Sequence, residues 1–179
     1  MTDRAAVDAL AQELPELHAL VIAAGVNVKG RPLKELTHED WDKLIGINLT
    51  GSFNLMHAFR PALAKTQGDI VLIGSVSGIW ADRSGPGYQA SKAGLHALSR
   101  GAAFEADDGD RVTTIAPGVV DTPILDNRPQ VPDAEMRAQM LKAEDVAAAA
   151  LFCVSLPWRA HIPELQILPT ALQAPGRTT

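Results

Sequence analysis

Cysteine is almost absent. Cys153 is the single one in 179 residues, so no internal disulfide can form, and the five scattered histidines add no metal-ligand spacing to it. A basic surplus is missing as well: 16 Lys plus Arg stand against 21 Asp plus Glu, a formal net charge of -5, which gives a polyphosphate backbone nothing to hold and argues against nucleic acid as a partner. No apolar run approaches membrane-spanning length, and Met1 to Leu14 carries Asp3, Asp8 and Glu13 in place of a basic and then apolar leader. These absences predict a soluble, cytoplasmic chain with no metal and no membrane partner. What is present, 46% hydrophobic and 21% charged residues, matches an ordinary globular protein with one core, so residues 1–179 are expected to form a single domain.

Four short apolar runs stand out: His18 to Gly25, Asp69 to Ser75, Arg111 to Ala116 and Glu164 to Pro169. Each is apolar on both alternating faces, the pattern of strands sandwiched between helices. Helical stretches separate them. Asp3 to Glu13 places Val7, Leu10, Ala11 and Leu14 on one stripe, with Thr2 or Asp3 to cap it. Thr37-His38-Glu39-Asp40 resembles a capping box and opens a long helix to about Lys65, which Pro61 should bend. Ser84 to Asp107 and the alanine-rich Ala143 to Leu156, ended by Pro157, supply two more. Alternating helix and strand predict an α/β fold with a parallel sheet of about four strands joined by right-handed crossovers. Thr122 to Lys142, with Pro123, Pro129 and Pro132, extends neither neighbour. It follows the third strand, at the end of the sheet where ligands of such folds bind, and is either a substrate lid or a plain surface excursion.

Tyr88 and Lys92 are four residues apart in a predicted helix and therefore share a face. An ammonium beside a phenol favours phenolate and would lower the tyrosine pKa toward an acid/base range. Ser75, at the end of a buried strand, points a hydroxyl into the crevice at the strand's carboxyl end. Asn48 is a lone amide in a long apolar helix, and an interrupted helical ladder that holds a water would explain it. Taken singly, each has a plainer reading: Ser75 as a cap, Asn48 at a kink, Pro117-Gly118 as an ordinary turn. Trp80 and Trp158 are open between pocket and packing roles.

Five segments together resemble the short-chain dehydrogenase/reductase family. They are Ala23-Ala24-Gly25, Asn48-Leu49-Thr50-Gly51, Ile70-Val71-Leu72-Ile73-Gly74-Ser75, Tyr88-Gln89-Ala90-Ser91-Lys92, and Ala116-Pro117-Gly118-Val119-Val120-Asp121-Thr122. They follow the family's order and spacing, and any one alone would be weak. The closing Ile162 to Thr170 is similar to the last strand of the small NADP-dependent alcohol and serine dehydrogenase-like members. The resemblance implies hydride transfer between NADP or NAD and a small carbonyl or alcohol substrate. Tyr88 would be the general acid, Ser75 would orient and polarise the carbonyl oxygen, Lys92 would hold the nicotinamide ribose, and Asn48 would position a relay water. Ala24, Gly25, Pro117, Gly118, Val120 and Thr122, with Tyr88 and Lys92, would bind cofactor.

The sequence departs from the family pattern in one large respect. The opening strand and its Thr-Gly-x-x-x-Gly-x-Gly turn, which meets the cofactor pyrophosphate at a helix N-terminus, have no counterpart here. Met1 to Glu13 matches the helix before the fourth family strand, so the expected architecture is an incomplete Rossmann-like three-layer fold without the N-terminal βαβαβ portion, roughly 60 residues at about 30 per unit. An internal start at Met1 of a longer protein would account for this. Gly25 to Gly30 lacks the spacing of a substitute phosphate loop, and the family's Asn-Asn-Ala-Gly is Ile22-Ala23-Ala24-Gly25. The first strand is expected to present an apolar parallel edge that a second copy or another partner covers, giving a homo-oligomer. The alternative function is a catalytically inactive family remnant acting as an interaction or oligomer partner.

Overall fold

Two strands in the middle of the chain are apolar on both faces, and the fold is built around them. The structure, a computed structural model, describes residues 1–106 and 109–174. β2 (Asp69–Ile73) and β3 (Arg111–Pro117) pair in parallel, Asp69 opposite Arg111 and Ile73 opposite Ile115. β1 (Ala19–Ile22) lies on the outer side of β2 and β4 (Glu164–Ile167) on the outer side of β3, giving the order β1-β2-β3-β4 with every pair parallel. Parallel neighbours need crossovers. These are α2 (His38–Ile45), a π-turn (Gly46–Thr50) and α3 (Gly51–Ala64) between β1 and β2, then α4 (Pro86–Phe104), then α6 (Ala143–Val154) after the short α5 (Ala134–Ala138). α1 (Arg4–Glu13) precedes the sheet and packs on α3.

Alternation along β2 divides its side chains between two layers. Ile70 and Leu72 join Ile22, Val112, Met56, Phe59, Leu63 and Leu95 in a cluster with α3 and α4, every member nearly inaccessible. Val71 and Ile115 face the other way and meet Val146 and Ala150 of α6. Each large aliphatic side chain so enclosed contributes roughly 1.5–3 kcal/mol relative to exposure. At the amino ends of the central strands Arg111 makes a two-pronged ion pair with Asp69, 2.8 Å at each oxygen, and also donates to the carbonyls of Leu156 and Ala160. This clamp ties β2, β3 and the α6–β4 connection together.

All four expected strands and the main helices are present, with three corrections. Only β2 and β3 are buried on both faces; β1 and β4 are the sheet edges, and Val21 is 52% exposed. The predicted stripe on α1 is only partly covered: Val7 is buried against the fold, but Leu10 and Leu14 are exposed. Pro61 sits inside an unbroken α3, and the ladder changes instead at the π-turn around Asn48. Asp107, the expected end of the third predicted helix, lies outside the described residues, as do residues 175–179. Among the described residues no helix is long and apolar enough to cross a membrane.

Candidate active site

The carboxyl ends of β1, β2 and β3 open into a crevice of about 1120 Å³. β2 ends at Ile73, and Ser75, still extended, caps a single 3₁₀ turn (Val76–Gly78) by accepting the Ser77 N–H at 3.1 Å. That turn is pressed onto α4: a Cβ at Gly78 would fall 2.8 to 2.9 Å from the backbone of Lys92 and Ala93, so only glycine permits the approach. α4 starts one residue after Gly85, whose φ of 93° belongs to the left-handed region, with Pro86 as first helical residue. Tyr88 therefore stands in the first turn of the helix and Lys92 one turn further on, its ammonium 5.8 Å from the centre of the phenol ring. Both line the crevice together with Ser75.

Lys92 is almost completely enclosed, 4% exposed, and its Nζ donates to the Ile73 carbonyl at 2.9 Å. Burial lowers its pKa to about 8, leaving an ammonium that sheds its proton easily and has two further N–H groups to offer. Tyr88 is raised above the ordinary phenol value, first by burial; Asp82 adds to this, while the Ser75 hydroxyl, Arg31 and Arg128 work in the opposite direction. The lowering groups are thus the serine and two arginines, where the helical spacing points to Lys92. Lys92 is engaged with the strand instead.

Asn48 is fully buried and is not part of the crevice lining. Its Oδ1 accepts the Val26 N–H at 2.8 Å, and its Nδ2 donates to the Val26 carbonyl and to Ser91 Oγ, both at 3.0 Å. The amide brackets the loop after β1 against α4, and the π-turn is the distortion that brings it there. Pro117, Gly118, Val120 and Thr122 all line the crevice, as does Gly25; Ala24 is exposed and does not. Val120 bridges to Leu141, and Arg137 and Lys142 both bind Asp121, so the two ends of the Thr122 to Lys142 segment are pinned together while its middle forms one wall. Those same bonds hold the Asp121 carboxyl below its usual value. Trp80 and Trp158 lie outside the crevice; Trp158 donates to the Gly109 carbonyl at 3.2 Å.

Several residues around the site escaped sequence reasoning. His96, buried behind Ser75, contacts the Ser75 carbonyl through Nε2 at 3.2 Å and Glu164 through Nδ1 at 3.0 Å. Its only sequence signal is its position four residues after Lys92, which extends the Tyr88–Lys92 face by one turn. Arg31 and Arg128 come from two loops, and Gln173, whose Oε1 accepts the Val119 N–H at 2.7 Å, comes from the turn after β4. No local pattern marks these three.

The chain that brings serine, tyrosine and lysine together beside a Pro-Gly turn has relatives among known proteins. The pattern described as short chain dehydrogenase matches residues 2–132. The chain belongs to the short chain dehydrogenase family. Galactitol 2-dehydrogenase of Rhizobium johnstonii is 38% identical over 171 residues, covering 87% of this chain and 66% of that protein. Sulfoacetaldehyde reductase 2 of Chromohalobacter salexigens is 32% identical over 180 residues, 94% of this chain and 71% of that one. Among solved structures, the closed form of serine dehydrogenase complexed with NADP+ superimposes with a TM-score of 0.87 at 29% identity, over 99% of this chain and 77% of the other. The chain thus spans about two thirds of the length of these curated relatives.

Proposed function

We propose that this chain carries the proton-transfer and substrate-orienting part of an oxidoreductase that interconverts a carbonyl and an alcohol with NADP or NAD. The observation that carries the reading is the meeting of the Ser75 hydroxyl, the Tyr88 phenol and the buried Lys92 ammonium in one crevice. A nicotinamide ribose fits the donors present. Lys92 has two N–H groups beyond its bond to Ile73, and Gly25, where a Cβ would sit 3.3 Å from Nζ, keeps a side chain off the ammonium. The cofactor, when bound, supplies or takes the hydride.

The chain's own residues do the rest. Ser75 Oγ donates to the substrate oxygen and fixes its position. Tyr88 delivers its proton to that oxygen in the reductive direction and accepts it in the oxidative one, aided by the residues that pull its pKa back down from the buried value. Lys92 holds the ribose, and Pro117, Gly118, Val120 and Thr122 form the nicotinamide wall, with Gly25 at its edge and Ala24 adjoining it in sequence. Asn48 acts at one remove, holding the loop at Val26 against Ser91 of α4, and the relay water assigned to it by the family resemblance would be positioned through that loop. The dehydrogenase and reductase names of the relatives favour this reading over that of an inactive interaction partner. Residues 1–179 are proposed as one domain that holds the reacting end of the cofactor, and a second copy covering β1 is the proposed assembly.

The test is calorimetric titration with NADPH and NADH, followed by turnover on a panel of carbonyl compounds. Micromolar binding and a turnover that Tyr88→Phe reduces by about 10²- to 10⁴-fold are expected. Binding absent up to millimolar cofactor, or turnover untouched by Tyr88→Phe, contradicts the reading.

A further inference from the structure

The crevice is not electrically neutral on the side away from the Pro117–Gly118 turn. Its basic lining residues are Arg31, Arg83, Lys92 and Arg128, against the acidic Asp82 and Asp133. Both acids are already engaged. Asp82 accepts from Ser77 Oγ at 2.5 Å and from the Ser84 N–H at 2.8 Å, and Asp133 caps α5 by accepting the Met136 N–H at 2.8 Å. Arg31, 8% exposed, is spent on two carbonyls, Val28 at 3.0 Å and Asn127 at 3.2 Å; Asp82 acts on it through space, but among the described residues no carboxylate comes within ion-pair distance of it. Its bond to Asn127 also anchors the turn that presents Arg128. Arg128 is half-buried, and among the described residues no hydrogen bond or ion pair engages its guanidinium. Two guanidiniums that repel each other, and both act on the Tyr88 phenol, make an arrangement that a bound anion would relieve.

We infer that the substrate of this crevice carries an anionic oxyacid group, a carboxylate in the simplest case, received by Arg128 with Arg31 behind it while the reacting oxygen lies at Ser75 and Tyr88. The inference rests on the oxidoreductase reading for the reacting end, but the anion site itself does not. A guanidinium fork is the natural partner of a carboxylate, offering two parallel N–H donors in a partly dry cleft. No reacting bond is involved: the group serves to orient, so that the carbon bearing the oxygen is held at a set distance from the phenol. A neutral polyol or simple ketone would leave Arg128 with only the through-space pull of Asp82, whose oxygens are taken by Ser77 and Ser84, and with no direct ion pair.

Two pairs of probes separate the possibilities: acetoacetate and levulinate, each against its own methyl ester. Binding to the full chain is followed by saturation-transfer NMR, and turnover with NADPH is measured in parallel. The acids are expected to bind at least about tenfold tighter than the esters, a preference that Arg128→Gln removes and Arg128→Lys partly restores. Circular dichroism on both variants verifies folding. Equal affinity for acid and ester, failure of both acids to bind, or a preference that survives Arg128→Gln overturns the anion site. Acid-selective binding with no turnover of any probe upholds the anion site and overturns the oxidoreductase reading. Turnover of acid and ester with equal kcat/KM does the reverse.

Discussion

The two faces of the sheet have different duties. One is closed by α1, α3 and α4, and residues from Ile22 on β1 to Val112 on β3 lie there nearly without access to water. The other has α6 alone, over Val71 and Ile115. Val21 shows the contrast best, since it is in register with Val71 and yet is 52% exposed and lines the crevice. The crevice runs across this open face from Val21 past Ile73 to Val146 and Ala150 before it reaches Ser75 and Tyr88. Folding energy is concentrated on one side of the sheet, and the space for chemistry lies on the other.

Substitutions on the two faces should separate sharply. Leu72→Ala empties a site with no access to water and is expected to cost about 2–5 kcal/mol in urea denaturation. A loss under about 1 kcal/mol would mean that the closed face is loosely packed. Next in size is Lys92, which lies where the two regions meet. Its pKa falls from 10.5 to about 8 on folding, so between those values the unfolded chain binds more protons and stability rises with pH. The penalty of burying the charged form is fully present below pH 8. Relative to Lys92→Met, which cannot titrate there, the wild-type chain should gain about 3 kcal/mol between pH 8 and 10.5, and a constant difference across that range would count against a buried ammonium. The smallest effect belongs to the open face: Val21→Ser should change stability by less than about 0.5 kcal/mol. A larger loss, growing with protein concentration, would reveal a second copy packed on β1.

The sequence made the framework legible because its signals are local. Continuous apolar runs mark all four strands, Thr37 announces the start of α2 by capping Asp40, and the Tyr88–Lys92 spacing puts both groups on one helical face. Edge burial on β1 and β4 was not legible, since it depends on which neighbours a strand lacks rather than on its own residues. Arg31 and Arg128 were missed for a related reason: Arg31 is bonded to Asn127, 96 residues along the chain, and nothing in either loop declares the meeting. The expected lowering of the Tyr88 pKa came from other groups than Lys92: burial raises it, and Ser75, Arg31 and Arg128 are what pull it down. Helical spacing sets which side chains share a face, while the competing carbonyl of Ile73 decides where the ammonium ends.

Sandwiched between a backbone carbonyl and a carboxylate, His96 has an acceptor at each ring nitrogen. A neutral imidazole has one hydrogen to give, and burial lowers its pKa, so the ring is biased against the doubly protonated form that would satisfy both. The Ser75 carbonyl, just past the end of β2, and Glu164 on β4 are therefore rivals for a single proton, and the choice of tautomer at this ring links the oxygen-binding serine to the far edge of the sheet.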